Sequence, residues 1–287
     1  MSDNPKNISL INLNAESIGD TAKEIYSDCL KPTAQATGQL LSLAPRGIRA
    51  LLSPFEKWII NKEAALTETS QLVSKKLSSV SPEKIVSPEP YIAIPSLQAL
   101  SYSIDNSDLR ELFANLIASA MNKDTKDQAH PAFIEIIKQL SPLEAKILKK
   151  TDILSDLTPL CIISLKDNSE CPEKKDDIFQ EIPIGIVVVN HFVLFEEFEY
   201  ENSEINIFSA AIDNFIRLGL CHIPYDSTII DASLYNKFPQ YVQKNNLFEY
   251  LKKAASYHVL ENEFYCLSKN YTCPTDFGNI FYEICVK

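Results

Sequence analysis

The chain has 287 residues, of which 45% are hydrophobic and 23% are charged, and its formal net charge is −11. These proportions are close to those of globular proteins, so the chain can bury a core and wholesale disorder is excluded. Only six glycines are present, which argues against a glycine-rich nucleotide-binding fold.

The negative charge is concentrated in the C-terminal part of the chain. Residues 159–287 carry 10 basic and 19 acidic side chains, residues 81–158 carry 8 and 11, and residues 1–80 carry 9 and 8. Proteins that bind nucleic acid usually present a basic face to the phosphates. The C-terminal part is therefore a poor candidate for such binding, and only the N-terminal part can present a cationic surface.

The cysteines and the first residues indicate a cellular compartment. The first residues, MSDNPKNISLINLN, lack the basic start and the apolar run of a signal peptide. The cysteines are odd in number and widely scattered, which is typical of reduced thiols. We therefore expect a cytoplasmic protein, with a peripheral position at the inner membrane as an alternative. The cysteines are Cys29, Cys161, Cys171, Cys221, Cys266, Cys273 and Cys285.

The N-terminal part is predicted to be a flexible tail over 1–14 and an amphipathic helical lead over 15–80. Apolar residues at helical spacing predict a helix over 15–30, which Pro32 ends. Later prolines predict a string of short helices or one kinked helix. A longer helix is predicted over 55–77.

A proline-rich stretch leads into the most strongly patterned part of the chain. Four prolines within residues 82–95 predict a stiff, extended linker, and residues 96–104 can form a short helix. Asp108 and Glu111 have the spacing of a capping box, which predicts that the next helix starts there.

Two further helix starts follow. Pro131 precedes an apolar helical pattern, and Ser141, Pro142 and Glu144 combine a hydroxyl cap, a proline and a carboxylate that can reach back to the cap. The short link between these two helices favours antiparallel packing. Residues 81–158 are therefore predicted to be a helical core.

The pattern changes in residues 159–287, where β-branched apolar runs alternate with helical ones. Strands are predicted at 160–166, 184–195 and 258–267, and helices ending at Gly219, over 235–253 and over 274–285. For 184–195 a helix is not excluded. The order predicts an α+β fold, predominantly helical: an N-terminal antiparallel helical bundle followed by a small α+β winged-helix-like unit.

Residue patterns predict no catalytic, cofactor or metal site. Cys221 and His222 are adjacent, and Cys266 and Cys273 are too far apart for a zinc knuckle, so the cysteines are interpreted as core residues. His130 precedes a helix and is interpreted as a cap or packing residue. Glu135-Ile-Ile-Lys138 resembles a nuclease carboxylate–lysine pair, but its helical spacing favours a solvated helix face. We therefore expect a protein that is not an enzyme.

Residues 40–60 form a cationic amphipathic segment. Such a segment, holding the chain's one tryptophan, could lie in a lipid interface. The alternative is that its apolar stripe packs on the helices of 107–150. The candidate membrane or partner face is Leu41, Ile48, Leu52, Phe55, Trp58 and Ile59. The candidate cationic face is Arg46, Arg49 and Lys57.

One stretch of the C-terminal part is mildly basic. Residues 236–253 hold four lysines against Glu249, and winged helices often contact DNA through a basic helix. The surrounding acidity would repel phosphate beyond this patch. A protein is therefore the expected partner, and nucleic acid is not.

The patterned core also resembles a known family. SDLRELFANLIASAMN and AHPAFIEIIKQLSPLEAKIL, and more weakly IDNFIRLGL and CPTDFGNIFYEICV, resemble the abortive infection alpha family of bacteria. The resemblance extends from about Lys31 to the C-terminus. It implies an antiviral role, in which the protein senses phage infection and halts or kills the infected cell. It implies no catalytic residue.

This resemblance and the amphipathic segment together give the functional prediction. We predict non-enzymatic abortive infection, with residues 159–287 as a sensing or regulatory unit and the N-terminal amphipathic helices as the effector. The expected partner is a phage or host protein, with a membrane surface and a second copy of the chain as further candidates. The alternative is a cytosolic adaptor or regulator that binds protein or nucleic acid.

Overall fold

The structure is a computed structural model that describes residues 62–103, 105–167, 186–224, 229, 231–254 and 263–287. Its contacts divide the chain into two compact units, Met1–Lys138 and Gln139–Lys287. The predicted tail, the helix at 15–30 and the segment at 40–60 lie outside the described residues. The four-part division of the chain stays a prediction.

The described part of the first unit is helical. Its helices are α1 Lys62–Leu77, α2 Pro90–Tyr102, α3 Ser107–Ala120 and α4 Ala132–Lys138. Helix α3 packs against α1, α2 and α4, and the side chains between them are fully buried or nearly so, including Phe113, Leu116 and Phe133. An ion pair between Arg110 and Glu68 joins α3 to α1.

The proline-rich linker is shorter than predicted. Ile85 is extended and forms a β-bridge with Asn122, but α2 starts at Pro90, six residues before the predicted helix. Proline suits the first helical position because its missing N–H is not needed there. Pro95 removes one bond inside the helix. Burial of the apolar residues from 92 to 94 offsets this loss.

The predicted cap of α3 is wrong by two residues. The N-cap is Asn106, whose side-chain oxygen accepts a hydrogen bond from the N–H of Leu109 at 2.9 Å. Asn and Asp are equally good N-cap residues, so the sequence does not distinguish a helix start at Asn106 from one at Asp108. The apolar side of this helix is buried, including Leu112, Phe113 and Leu116.

The second unit combines five helices with a four-stranded antiparallel sheet in the described residues. The strand order is β2-β1-β4-β3, so β1 and β4 are central and β2 and β3 form the edges. The strands are β1 Thr158–Asp167, β2 Ile186–Val193, β3 Cys221–His222 and β4 Glu263–Pro274. The helices are α5 Pro142–Lys150, α6 Ile205–Arg217, α7 Lys237–Lys244, α8 Leu247–Ala254 and α9 Asp276–Phe281, which continues as a π-helix over Tyr282–Val286.

Most predicted elements of this unit are confirmed. Of the segment predicted at 184–195, residues Ile186–Val193 form a strand. Two other predictions are corrected. The last strand runs to Pro274 and not to 267, because β1 pairs with it up to Thr272 and β3 pairs with Cys273 and Pro274. The helix predicted over 235–253 is broken at Asn246, whose φ of 48° is outside the helical range. Asparagine tolerates this left-handed conformation, which explains the break.

The main core of the second unit lies between one face of the sheet and helices α7 and α8. Ile163 and Leu267 of the central strands contribute to it together with Phe192, Phe238 and Leu251. The α+β class is therefore confirmed. The winged-helix-like arrangement and the antiparallel N-terminal bundle stay predictions.

Candidate functional site

The residues predicted to form a membrane or partner face lie outside the described part of the chain. This applies to the apolar face and to the cationic face of the segment at 40–60. The residues concerned are Leu41, Ile48, Leu52, Phe55, Trp58 and Ile59 on the first face, and Arg46, Arg49 and Lys57 on the second.

Two other candidates have the local roles that the sequence indicated. Nδ1 of His130 accepts a hydrogen bond from the N–H of Ala132 at 3.1 Å, at the start of α4, so His130 is a cap. Nζ of Lys138 lies 3.0 Å from both carboxylate oxygens of Glu135, and both side chains are exposed. This pair is an ion pair on a solvated helix face.

Three separate segments of the second unit meet at helix α6. The helix buries Phe208, Ile212 and Phe215 at helical spacing and carries Asp213, Asn214 and Arg217 on the other side. The segments that reach it are the start of α5, strand β2 and the start of α9. We call the group made by Glu144, Asn214, Arg217, Gly219 and Thr275 the α6 joint.

Glu144 is the centre of the first half of the α6 joint. It is buried, and its Oε2 accepts from the N–H of Ser141 at 2.6 Å while the Ser141 hydroxyl accepts from the N–H of Glu144, which confirms the predicted capping box. Its Oε1 accepts from Nδ2 of Asn214 at 2.9 Å. Both carboxylate oxygens are therefore bonded within the protein.

Arg217 extends this network on the surface of α6. Its Nε and Nη2 donate to Oδ1 of Asn214 at 3.0 and 2.7 Å, and its Nη1 donates to Oε1 of Gln139 at 2.9 Å. Asn214 also donates to the carbonyl of Gln139 at 3.2 Å. These bonds join α6 to the residues that precede α5. The bonds made by the charged groups of Arg217 and Glu144 are stronger than hydrogen bonds between two neutral groups.

The second half of the joint is the corner where α6 ends. Gly219 has φ +71°, the left-handed conformation that ends many helices. The Thr275 hydroxyl donates to the carbonyl of Gly219 at 2.6 Å and accepts from the N–H of Gly278 at 2.8 Å, and the N–H of Thr275 donates to the carbonyl of Leu220 at 3.0 Å. Gly278 lies so close to Leu220 that a Cβ would overlap the Leu220 carbonyl. The corner therefore fixes the start of α9 against the end of α6.

His191 of β2 faces the same helix. Its Nδ1 lies 3.0 Å from Oδ1 of Asp213, and its backbone N–H donates to the Ser209 hydroxyl at 3.1 Å. In a Ser–His–Asp triad the imidazole takes the serine proton. Here the serine is bonded to the histidine backbone instead, so the three residues do not form that arrangement.

The buried imidazole gives a testable pH dependence. Burial lowers the pKa of His191 below its usual value, and the Asp213 carboxylate opposes this shift only in part. As the pH falls through about 6.5, the imidazole of His191 binds a proton in the unfolded chain but stays neutral in the folded protein. The free energy of unfolding therefore decreases.

We expect His191→Gln to reduce the loss of stability between pH 7 and pH 5, by at most about 1.4 kcal/mol per pH unit. Asp213→Asn should have the opposite effect, because it removes the group that raises the pKa of His191. Urea unfolding at several pH values measures both. Identical pH profiles for the three proteins would contradict this role of His191.

A second polar pair lies at the edge of the sheet. Sγ of Cys273 on β4 is 3.2 Å from Nε2 of His222 on β3. Burial raises the pKa of the Cys273 thiol, and it raises the pKa of its buried neighbour Cys221 to about 12.

No group of three or more potential metal ligands occurs within the described residues. The core role predicted for Cys161, Cys221, Cys266 and Cys285 is confirmed by their burial, whereas Cys273 is partly exposed.

Comparison with known proteins identifies the family. The profile of the family described as abortive infection alpha matches residues 61–285. The chain belongs to the abortive infection alpha family. No curated protein and no solved structure gives a significant match to it.

The match places the α6 joint inside the family region. Glu144 belongs to SPLEAKIL, Asn214 and Arg217 to IDNFIRLGL, and Thr275 to CPTDFGNIFYEICV, which are the stretches that carried the resemblance. The family profile starts to match at residue 61, whereas the resemblance was predicted to start at about Lys31. Residues 31–60 therefore lie outside the matched region. Sequence reasoning missed the contacts between these stretches, because nothing in the spacing of 144, 214 and 275 brings them together.

Among the described residues, no helix is both long enough and apolar enough to cross a bilayer.

Proposed function

We propose that this abortive infection alpha protein halts or kills phage-infected cells without catalysing a reaction. The family match over residues 61–285 is the observation that carries the proposal. In this role residues 159–287 sense or regulate, and the N-terminal amphipathic helices act on the inner membrane or on another essential partner.

The α6 joint supports a regulatory role for the second unit. Its hydrogen bonds connect α6 to the start of α5 and to the start of α9. Hydrogen-bond networks of this kind can carry the coupling between a binding surface and a distant part of a protein. A phage or host protein that binds the second unit would act through this connection.

The amphipathic segment at 40–60 is the proposed effector. Its apolar face carries Phe55 and Trp58, and aromatic side chains of this kind anchor helices at lipid interfaces. Arg46 and Arg49 on the other face would be attracted to anionic lipid headgroups. The inner membrane is therefore the first target to test.

We expect the double variant Phe55→Glu with Trp58→Glu to abolish protection of phage-infected cells, because two carboxylates oppose insertion into lipid. Phe55→Leu with Trp58→Leu is the matched control, since it changes the same two positions and keeps the face apolar. The measurement is plaque number and cell survival, with circular dichroism and liposome binding of each purified protein. Full protection by a folded double variant would remove the membrane role.

A regulator that binds nucleic acid is the second candidate. Lys244, Lys252 and Lys253 of α7 and α8 are exposed, and so is Tyr250 of α8, which provides basic and aromatic side chains of the kind that bind single strands. The measurement is the retention of the full chain on a DNA column. Retention that decreases as salt is added, and that is weaker for the double variant Lys252→Ala with Lys253→Ala, would favour this candidate. Retention that is equal for both proteins would count against it.

A further inference from the structure

The pair formed by Cys273 and His222 has the arrangement of two metal ligands. The two residues are direct partners across the antiparallel ladder of β3 and β4, so their side chains lie on the same face. Among the cysteines that the structure describes, Cys273 is the one that is not buried, and His222 is exposed. A thiol and an imidazole at the surface are the donors that zinc prefers.

The spacing of the donor atoms fits a shared zinc ion. Zinc lies about 2.3 Å from sulfur and about 2.0 Å from nitrogen in tetrahedral sites, so the sulfur and nitrogen of two ligands are about 3.5 Å apart. Sγ of Cys273 is 3.2 Å from Nε2 of His222 and 3.7 Å from Nδ1. These two distances lie on either side of the expected value, and the sheet holds both residues in register.

Two ligands do not complete a structural zinc site, which needs four. Within the described residues no third histidine, cysteine or carboxylate joins the pair. Strand β3 is a two-residue edge strand of the described sheet, and the side chain of His222 is exposed. A second copy related by a two-fold axis would bring the same two side chains to the same metal ion.

We propose that Cys273 and His222 form half of a tetrahedral zinc site, and that the same pair of a second copy completes it. Zinc then joins two chains at the β3 edge through two sulfurs and two nitrogens. The site leaves the α6 joint intact, because Thr275 and the start of α9 follow it in the chain and keep their own bonds.

Binding has a defined proton balance. Each Cys273 thiol loses its proton when its sulfur bonds to zinc, so a dimer releases two protons to solvent.

The test uses the purified full chain, first stripped with a chelator and then dialysed against zinc chloride. Bound zinc is measured by elemental analysis, and the mass in solution by sedimentation velocity. We expect one zinc ion for two chains and a dimer that the chelator dissociates. Cys273→Ser and His222→Ala should each remove both the zinc and the dimer, whereas Cys171→Ser should keep both.

Four results would overturn the proposal. They are no retained zinc, one zinc ion for each monomeric chain, a dimer that is indifferent to the chelator, and zinc retained by folded Cys273→Ser. Circular dichroism of each variant establishes folding, and the serine variant preserves the size of the side chain it replaces.

Discussion

Gly278→Ala is expected to lower the free energy of unfolding of the second unit by about 3 kcal/mol, the upper end of the usual cost of overpacking. An alanine Cβ at this position would overlap the carbonyl oxygen of Leu220 and lie 2.7 Å from its carbonyl carbon. The obstacle is backbone and cannot rotate away. The start of α9 must therefore shift and weaken the bonds of Thr275 to the end of α6.

Gly219→Ala is the matched control for Gly278→Ala. Nothing lies within 4 Å of a Cβ at Gly219, so the only cost is the strain of φ +71°, roughly 1–2 kcal/mol. Urea unfolding followed by circular dichroism compares the two variants with the unchanged protein. A Gly278→Ala variant that is no less stable than Gly219→Ala would contradict the close contact at this corner.

Glu144→Ala is expected to destabilise the second unit by about 2–3 kcal/mol, because it leaves two buried or partly buried donors without their acceptor. These donors are the N–H of Ser141 and the side-chain amide of Asn214. The variant also removes the carboxylate half of the capping box at the start of α5.

Glu144→Gln tests whether both carboxylate oxygens contribute to stability. Glutamine keeps the shape and one acceptor oxygen but directs an NH₂ group at the other donor, so we expect about half of the loss. Ser141→Ala removes the hydroxyl cap alone and should cost about 1 kcal/mol. The experiment is urea unfolding of the three variants. Equal stability of Glu144→Ala and Glu144→Gln would show that the carboxylate oxygens are not both engaged.

Local signals in the sequence predicted the elements of the fold well. The capping box at Ser141 and Glu144, the glycine that ends α6 and the β-branched strands all depend on residues close in sequence. Where two local signals competed, the prediction failed, as at Asn106 and Asp108. The start of α2 at Pro90 was missed because burial of Ile92 and its neighbours outweighs an internal proline, and burial depends on the whole unit.

The contacts that build the α6 joint and the zinc pair depend on the tertiary fold. Asn214 reaches Glu144 across 70 positions, and Cys273 reaches His222 across 51. Sequence spacing suggested no zinc knuckle, because a knuckle has its ligands on one short loop. The two-ligand arrangement requires that β3 and β4 pair, which only the sheet register reveals. The segment at 40–60 was predicted from its own amphipathic pattern, and its role remains a proposal.

Membership of the abortive infection alpha family underlies the proposal that the protein stops phage propagation at the expense of the infected cell. To test this proposal, cells that express the protein are infected with several phages for each cell, and cell survival and phage release are followed together. We expect the culture to stop growing or to collapse while few or no phages are released. Normal phage bursts and unchanged plaque numbers across a broad panel of phages would contradict it.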